Sequence, residues 1–457
     1  MKERAAYLRI YDYCKDSILN GRMQAGEKLP SLREYAQELS VSITTVELAY
    51  AQLAVEGYIV SKPKSGYFVA DIPLTDLGAT STAVPIAEPA DEKQLGLPVY
   101  RYDLACFDFN KWKRCINKVL TEHQGLLMFD SDPQGEIALR REISDYLRRM
   151  RGVICSPDQI VIGAGTQQIM GQLSLILKRM NINHVSVEEP GYTPVRNIFR
   201  DRGFTISPIA VQNDGIDTEK LPRNIRSAVY VSPSNQFPTG SVMPVGKRAR
   251  LLDWAQRNES IIIEDDYDSE LRYSGQPLPA MQGLDRAGRV VYLGSFSSTL
   301  FSGLKISYMV LPPQPAHIFE EHKRDYVQTC SKTEQLTLWL FMQQGLYHIH
   351  IKKLRRLYAQ KLQSVIKTIE LYGADFLITR NTASGINIIV AVKSEKDGAM
   401  LSKEAADLGI SALPVSNFSS APAFDNPGFV SMILYYNRLP LADIEEAIRA
   451  LITLWRA

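Results

Sequence analysis

The chain has 457 residues, 45% of them hydrophobic and 22% charged, with a formal net charge of +2. That length exceeds what one hydrophobic core usually serves, so two or three domains are expected, and the near-neutral balance excludes a polycation: any nucleic-acid role must come from a local surface. Five scattered cysteines (Cys14, Cys106, Cys115, Cys155, Cys330) with no C-x-x-C spacing read as reduced thiols of a cytoplasmic protein rather than a disulfide frame or zinc site, the charged N-terminus lacks a secretory pattern, and no apolar run reaches the ~18 residues of a membrane span.

Tyr7, Ile10, Tyr11, Cys14 and Ile18 fall at helical spacing. "GRMQAGEKLPS" (21–31) is a turn-rich connection, after which Leu32, Tyr35, Ala36 and Leu39 repeat at i, i+3, i+4, i+7. A short break, "SVS" (40–42), precedes a third periodic stretch at Val46, Ala49, Tyr50 and Leu53, with Ser42 as its N-cap. Two short helices joined by a tight turn predict a helix-turn-helix, whose second helix would present Ile43, Thr44, Thr45, Glu47 and Leu48 where base edges are read. "YIVSKPKSGYFVA" (58–70) predicts a β-hairpin wing with Lys62 and Lys64 at its tip, near phosphate. Residues 1–70 carry nine basic and eight acidic side chains, so charge alone does not separate a DNA-binding module from a three-helix protein-interaction module. The ordered combination of helices, turn and basic hairpin favours DNA.

Along its length this segment resembles the GntR-type winged helix. The resemblance implies DNA contacts from Ser31, Arg33, Ser42, Thr44, Thr45 and the wing, and dimeric binding to paired half-sites of double-stranded operator DNA.

Residues 72–99, with prolines, small polar residues and little periodicity, read as a linker between a DNA-binding domain (1–71) and a large domain (100–457). In the large part, "QIVIGAG", "HVSVEEPGY", "AVYVSPSNQFPTG", "IIIEDDYDSE" and "RVVYLGSFSS" are apolar strands ending in polar loops, alternating with helical patterns such as 166–178. This alternation predicts an α/β fold with a mainly parallel, doubly wound sheet and a ligand site at the strands' carboxyl ends. "GAGTQQ" (163–168) opens a helix with glycines, whose free N–H groups suit a phosphate. "EDDYDSE" (264–270) puts Asp265 and Tyr267 on one side of a strand end, a carboxylate for a protonated ring nitrogen beside a phenol for a ring oxygen; taken alone it also reads as an ordinary acidic loop. The serine-rich "GSFSSTLFSGLK" (294–305) ends in its one basic residue, Lys305.

In this order these pieces resemble a fold-type I aminotransferase, with a smaller C-terminal α+β subdomain. Joined to a GntR-type domain, they resemble the MocR-type transcriptional regulators over nearly the whole chain. The resemblance implies pyridoxal phosphate, with Gly165, Thr166 and Ser295 at its phosphate, Tyr192 stacked on the ring, Asp265 at the ring nitrogen, Tyr267 near the hydroxyl, and Asn235 where the family usually has a histidine.

The family loop is close to G-[ST]-F-S-K-T-L-F-P-G-L-R, and its Schiff-base lysine falls on Ser298, which cannot form an imine. Lys305 replaces an arginine that clamps the phosphate, keeping the charge but losing the bidentate fork. Ile433, in "SMILYYNRLP", falls where the family holds an amino acid's carboxylate with arginine, and Arg438 nearby belongs to the following turn. Three departures at charged contacts read as natural divergence rather than one engineered change. Pyridoxal phosphate is then expected to bind at most noncovalently unless Lys305 substitutes. A different flat ligand, or a disused pocket whose retained residues serve packing, stays open.

The expectation is a catalytically inactive, cytoplasmic DNA-binding regulator forming a head-to-tail, domain-swapped homodimer and sensing a small-molecule effector. The rivals are a pyridoxal-phosphate-dependent aminotransferase with a DNA-binding domain and a ligand-independent DNA-binding dimer. His348 and His350 diverge by about 200° on a helix and do not suit a metal. "KKLRRLYAQK" (352–361) reads as a solvated helix face or a secondary DNA contact, and Trp112, Trp254, Trp339 and Trp455 as core.

Overall fold

The computed structural model describes residues 6–72, 103–273, 278–380, 384–419 and 427–456. The expected linker lies outside the described residues except for Ile72. The chain divides between residues 96 and 97 into two compact units.

The first unit contains helices α1 (Ala6–Leu19), α2 (Leu32–Glu38) and α3 (Ile43–Val55) and strands β1 (Ile59–Lys62) and β2 (Gly66–Val69). Ser31 opens α2 with a capping box: the Glu34 amide donates to its hydroxyl at 3.3 Å, and its own amide donates to the Glu34 carboxylate at 3.0 Å. Ser42 opens α3 by accepting from the Thr45 amide at 3.2 Å. The periodic residues Ile10, Cys14, Ile18, Tyr35, Ala36, Val46, Ala49, Tyr50 and Leu53 form one core with Ile59 and Val69 of the wing. Leu39 departs from the expected repeat: it is the C-cap of α2 and is exposed, because the helix ends before that turn is complete.

The second unit runs through α4 (Phe109–Glu122), α5 (Ile137–Arg151), β3 (Ile160–Ala164), α6 (Thr166–Arg179), β4 (His184–Glu189), α7 (Thr193–Asp201), β5 (Thr205–Gln212), β6 (Gly215–Ile216), β7 (Ala228–Val231), α8 (Val245–Arg257), β8 (Ile261–Asp266), β9 (Val290–Ser295), β10 (Ile306–Val310), α9 (Pro313–His322), α10 (Lys332–Gln343), α11 (Leu346–Tyr372), β11 (Leu377–Arg380), β12 (Asn387–Lys393), α12 (Gly398–Asp407), β13 (Ser411–Pro414), β14 (Phe429–Tyr435) and α13 (Ile444–Arg456). Among the described residues the large sheet has the order β3-β10-β9-β8-β7-β4-β5-β6. Strands β9, β8, β7, β4 and β5 pair parallel, while β10 runs antiparallel to both β3 and β9.

Both sheet faces are covered, which is why its central strands are continuously apolar rather than alternating. Ile261 and Ile263 of β8 pack with Leu173 of α6 and Phe199 of α7, and Ile262 packs on the other face with Leu251 and Trp254 of α8. Near the β3 edge, Trp112, Ile143 and Phe341 bring α4, α5 and α10 into a third cluster. The smaller sheet, β11-β12-β14-β13, is antiparallel throughout and packs with residues of α11, α12 and α13. Trp112, Trp254 and Trp455 are buried as expected, and Trp339 packs half-buried against the core. His350 is buried against the Thr299 carbonyl while His348 is exposed on another face of α11. No helix among the described residues is long and apolar enough to cross a membrane.

Candidate functional site

The sheet order explains the site. With β10 reversed, the carboxyl ends of β3, β9, β8, β7 and β4 share one edge with the start of β10. Ser307 of β10 pairs with both Gly163 of β3 and Ser295 of β9. Its hydroxyl donates to Ser295 Oγ at 3.0 Å and lies 3.5 Å from Thr166 Oγ1. Gly165 is the N-cap of α6 at φ +84°, a left-handed turn, and gives the first amides of α6 no side-chain cap. Gly294 is required by close approach, since a Cβ there would meet the Tyr308 ring at 2.3 Å. Lys305, also left-handed at φ +51°, opens β10 beside this cluster; no carboxylate among the described residues pairs with it. A lysine held in this sparsely populated region is backbone strain at the edge where the polar groups converge.

A cavity of about 770 Å³ opens at this edge. Gly165, Thr166, Tyr192, Asp265, Tyr267, Ser295, Ser298 and Lys305 line it. These residues, picked from separate stretches of sequence, are thus brought together. Asn235 is placed off the wall, behind Tyr267: its amide donates to both Asp268 carboxylate oxygens at 2.9 Å, lies 3.4 Å from the Tyr267 hydroxyl, and accepts from Ser384 at 3.1 Å. Ser298 Oγ donates to the Tyr267 backbone carbonyl at 2.5 Å.

Sequence reasoning missed Ser307, Ser232, Phe237, Ile386, Asn387, Phe418 and Tyr435 on the wall. "ISYMV" (306–310) carried an apolar strand signal, but only pairing with β3 and β9 aims Ser307 at the cluster. Ile386, Asn387 and Tyr435 belong to the smaller subdomain, and Ile433, two residues before Tyr435, is fully buried with Ile389 and Val415. Arg438 is exposed on the turn after β14.

Asp265 and Asp266 close β8 on opposite faces. Asp266 binds Arg151 at 2.7 Å, both side chains 2% exposed, and accepts from Tyr292 at 2.5 Å. Asp265 faces the cavity, accepts from the Tyr230 hydroxyl, and is raised to about 6 by burial and by Asp266 despite that hydrogen bond. Beneath it Glu188 accepts from the Ser232 amide at 3.2 Å and is raised to about 8 by burial; its Oε1 has no hydrogen-bond partner among the described residues.

In the first unit, Arg33, Ser42, Thr44, Lys62 and Lys64 are exposed and Thr45 is half-buried. Ser31 and Ser42 already accept capping bonds, and Thr45 shares its hydroxyl with Ser42 at 2.7 Å. Lys62 and Gly66 pair across the wing, with Lys62 Nζ 4.6 Å from the Phe68 ring centre.

The two units correspond to two known families. A winged helix at residues 6–69 matches "Bacterial regulatory proteins, gntR family", and the stretch 92–419, which supplies every described wall residue of the sheet-edge cavity except Tyr435, matches "Aminotransferase class I and II". The crystal structure of kynurenine aminotransferase from Pyrococcus horikoshii superposes with a TM-score of 0.67 over 78% of this chain and 89% of its own, at 24% identity. An archaeal alanine:glyoxylate aminotransferase gives 0.70 over 80% and 92%, at 20% identity. These show a fold-type I aminotransferase fold. Relatives match across both units. The uncharacterized HTH-type transcriptional regulator YdeL of Bacillus subtilis is 37% identical over 98% of this chain and 96% of its own length. The probable rhizopine catabolism regulatory protein MocR of Rhizobium meliloti is 31% identical over 97% and 92%. The chain belongs to this family of HTH-type transcriptional regulators, in which a GntR-type DNA-binding domain is joined to an aminotransferase-like domain.

Proposed function

We propose that the protein is a cytoplasmic transcriptional regulator that binds operator DNA as a head-to-tail homodimer. Its cavity holds pyridoxal phosphate, or a close analogue, without covalent attachment, and it has no transaminase activity. The observation that carries this reading is the wall itself. Its one amine among the described residues is Lys305, at the hydroxyl-rich end, while Ser298 holds the Tyr267 carbonyl.

The residues present fit such a group. Backbone amides at the start of α6, the hydroxyls of Thr166, Ser295 and Ser307, and the Lys305 ammonium suit a phosphate. Asp265 suits a protonated ring nitrogen, and Tyr192 offers an aromatic face. When bound, the cofactor supplies an electron-withdrawing ring able to stabilise negative charge on an attached carbon. Here Asp265 holds the ring nitrogen's proton and Tyr230 fixes that carboxylate. Ser298 has a hydroxyl tied to backbone and moves no proton to or from substrate. Binding in the cavity changes DNA affinity only if it favours one arrangement of the two units over another.

The test selects DNA sites for the purified protein from random sequence, then measures affinity and borohydride trapping with and without pyridoxal phosphate. A two-fold-related site, a ligand-dependent affinity and no trapped adduct are expected. A borohydride-stable adduct on Lys305, or transaminase turnover with any amino acid, would overturn the inactive, noncovalent reading. Affinity unmoved by ligand would favour a ligand-independent DNA-binding dimer.

A further inference from the structure

We infer that the cavity selects its ligand by the phosphate and the ring nitrogen alone, binds the aldehyde, amine and alcohol forms of a phosphorylated hydroxypyridine equally, and rejects adducts carrying an amino acid. The inference rests on the noncovalent ligand reading above and adds what that site distinguishes.

The first argument is the charge pattern of the wall. Among the described wall residues Lys305 is the one basic side chain and Asp265 the one carboxylate. They sit on β10 and β8, which flank β9. At the ~4.8 Å spacing of neighbouring strands, the two chains are roughly 10 Å apart. The complementary ligand has an anion at one end and a protonated ring nitrogen at the other. A lone phosphate leaves Asp265 unanswered, and an unphosphorylated ring leaves Lys305 unanswered.

The second argument concerns the aldehyde. It gains over an alcohol or amine only where an unprotonated amine can reach it. The Lys305 chain runs past Gly165, where its Cδ lies 3.9 Å from the position a Cβ would take. That brings it to the opening of α6 and the hydroxyl cluster, where it would pair with a bound phosphate rather than reach the ring's carbonyl. The Ser298 hydroxyl donates to a carbonyl. No wall group rewards the carbonyl.

The third argument concerns the rest of the wall. Phe237 packs edge-on against Phe418 at 4.9 Å and Tyr192 at 6.1 Å, Ile386 continues the apolar surface, and Asn387 and Tyr435 add polar but uncharged side chains. Arg196 lies off the wall and binds Glu189 at 2.9 Å; Arg438 is off it too, on an exposed turn. An amino acid attached to the ring places its carboxylate against aromatic and uncharged polar groups with no cation beyond Lys305 on the described wall, a desolvation cost that neutral donors do not offset.

The experiment is isothermal titration calorimetry of the full chain. The probes are pyridoxal, pyridoxamine and pyridoxine 5′-phosphates, unphosphorylated pyridoxine, and N-(5′-phosphopyridoxyl)-L-leucine. The three phosphates are expected within about threefold of one another, pyridoxine at least about a hundredfold weaker, and the leucine conjugate at least about tenfold weaker. In Ser298→Lys, the aldehyde is expected to gain about tenfold or more over the alcohol and to develop a visible absorption band. Aldehyde preference of that size in the native protein, or tight binding of the leucine conjugate, overturns this inference and leaves the noncovalent or pyridoxal-type site to be judged by borohydride. Failure of all phosphorylated forms to bind overturns both readings.

Discussion

The winged helix and the aminotransferase-like unit assemble their polar surfaces by opposite routes. In the winged helix, Ser31, Arg33, Ser42, Thr44, Lys62 and Lys64 come from one short stretch, and local rules place them: two serine caps and a hairpin. The fold beneath rests on a separate apolar core. In the larger unit, wall residues from Gly165 to Tyr435 meet because distant strands pair. Their backbone continues directly into the core: Asp265 faces the cavity while Asp266, the next residue, anchors Arg151 inside. A locally built surface can lose side chains without losing the fold, whereas the sheet-edge site shares its strands with stability.

The largest expected effect tests that separation. Arg151→Met strands the Asp266 charge in the interior and should destabilise the larger unit by about 3–5 kcal/mol. In calorimetry its transition should fall while that of the winged helix stays in place; equal shifts in both would mean that the units unfold together.

Asp265 gives the next. Its carboxyl titrates near 6 in the folded protein against an ordinary 3.8. Between those values the folded state binds the extra proton, so stability falls as pH rises from about 4 through about 6, by roughly 3 kcal/mol in all. Glu188, raised to about 8, adds the same sign and carries the decline further up. Asp265→Asn should flatten the lower part of the melting-temperature profile. A native profile that rises from pH 5 to 8 would contradict the raised values of the buried Asp265 and Glu188 carboxyls.

The wing should behave in the opposite way. Lys62→Gln combined with Lys64→Asn, which keeps a residue tolerant of the left-handed backbone at 64, should leave melting within about 0.5 kcal/mol. Operator affinity should drop about tenfold or more, and the slope of log affinity against log salt should lessen by about 2 per subunit, about 4 for the homodimer. An unchanged slope would remove the wing from the phosphate backbone.

The smallest effect sharpens the local picture. Ser31→Ala removes the capping box and should cost the winged helix about 1 kcal/mol. A larger loss in operator affinity than in stability would show that the Ser31 hydroxyl serves DNA as well as the cap.

The helices, caps and hairpin of the winged helix are legible along the chain, because burial periodicity and capping are read within a few residues. So are strands β3, β4, β7, β8 and β9 and the polar loops after them, because strands buried on both faces are apolar throughout and end where polar residues begin. Which loops meet follows from the folded sheet alone. The reversed strand β10 puts Ser307 between Gly163 and Ser295 and Lys305 at the cavity, and its pairing with β3, over a hundred residues away, leaves no local trace. The same holds for Asn235, which turns to Asp268 rather than the wall, and for Ile386 and Tyr435, which the smaller sheet brings to the rim. Burial is written into each segment's own composition; the choice of neighbour depends on the free energy of the whole packed sheet.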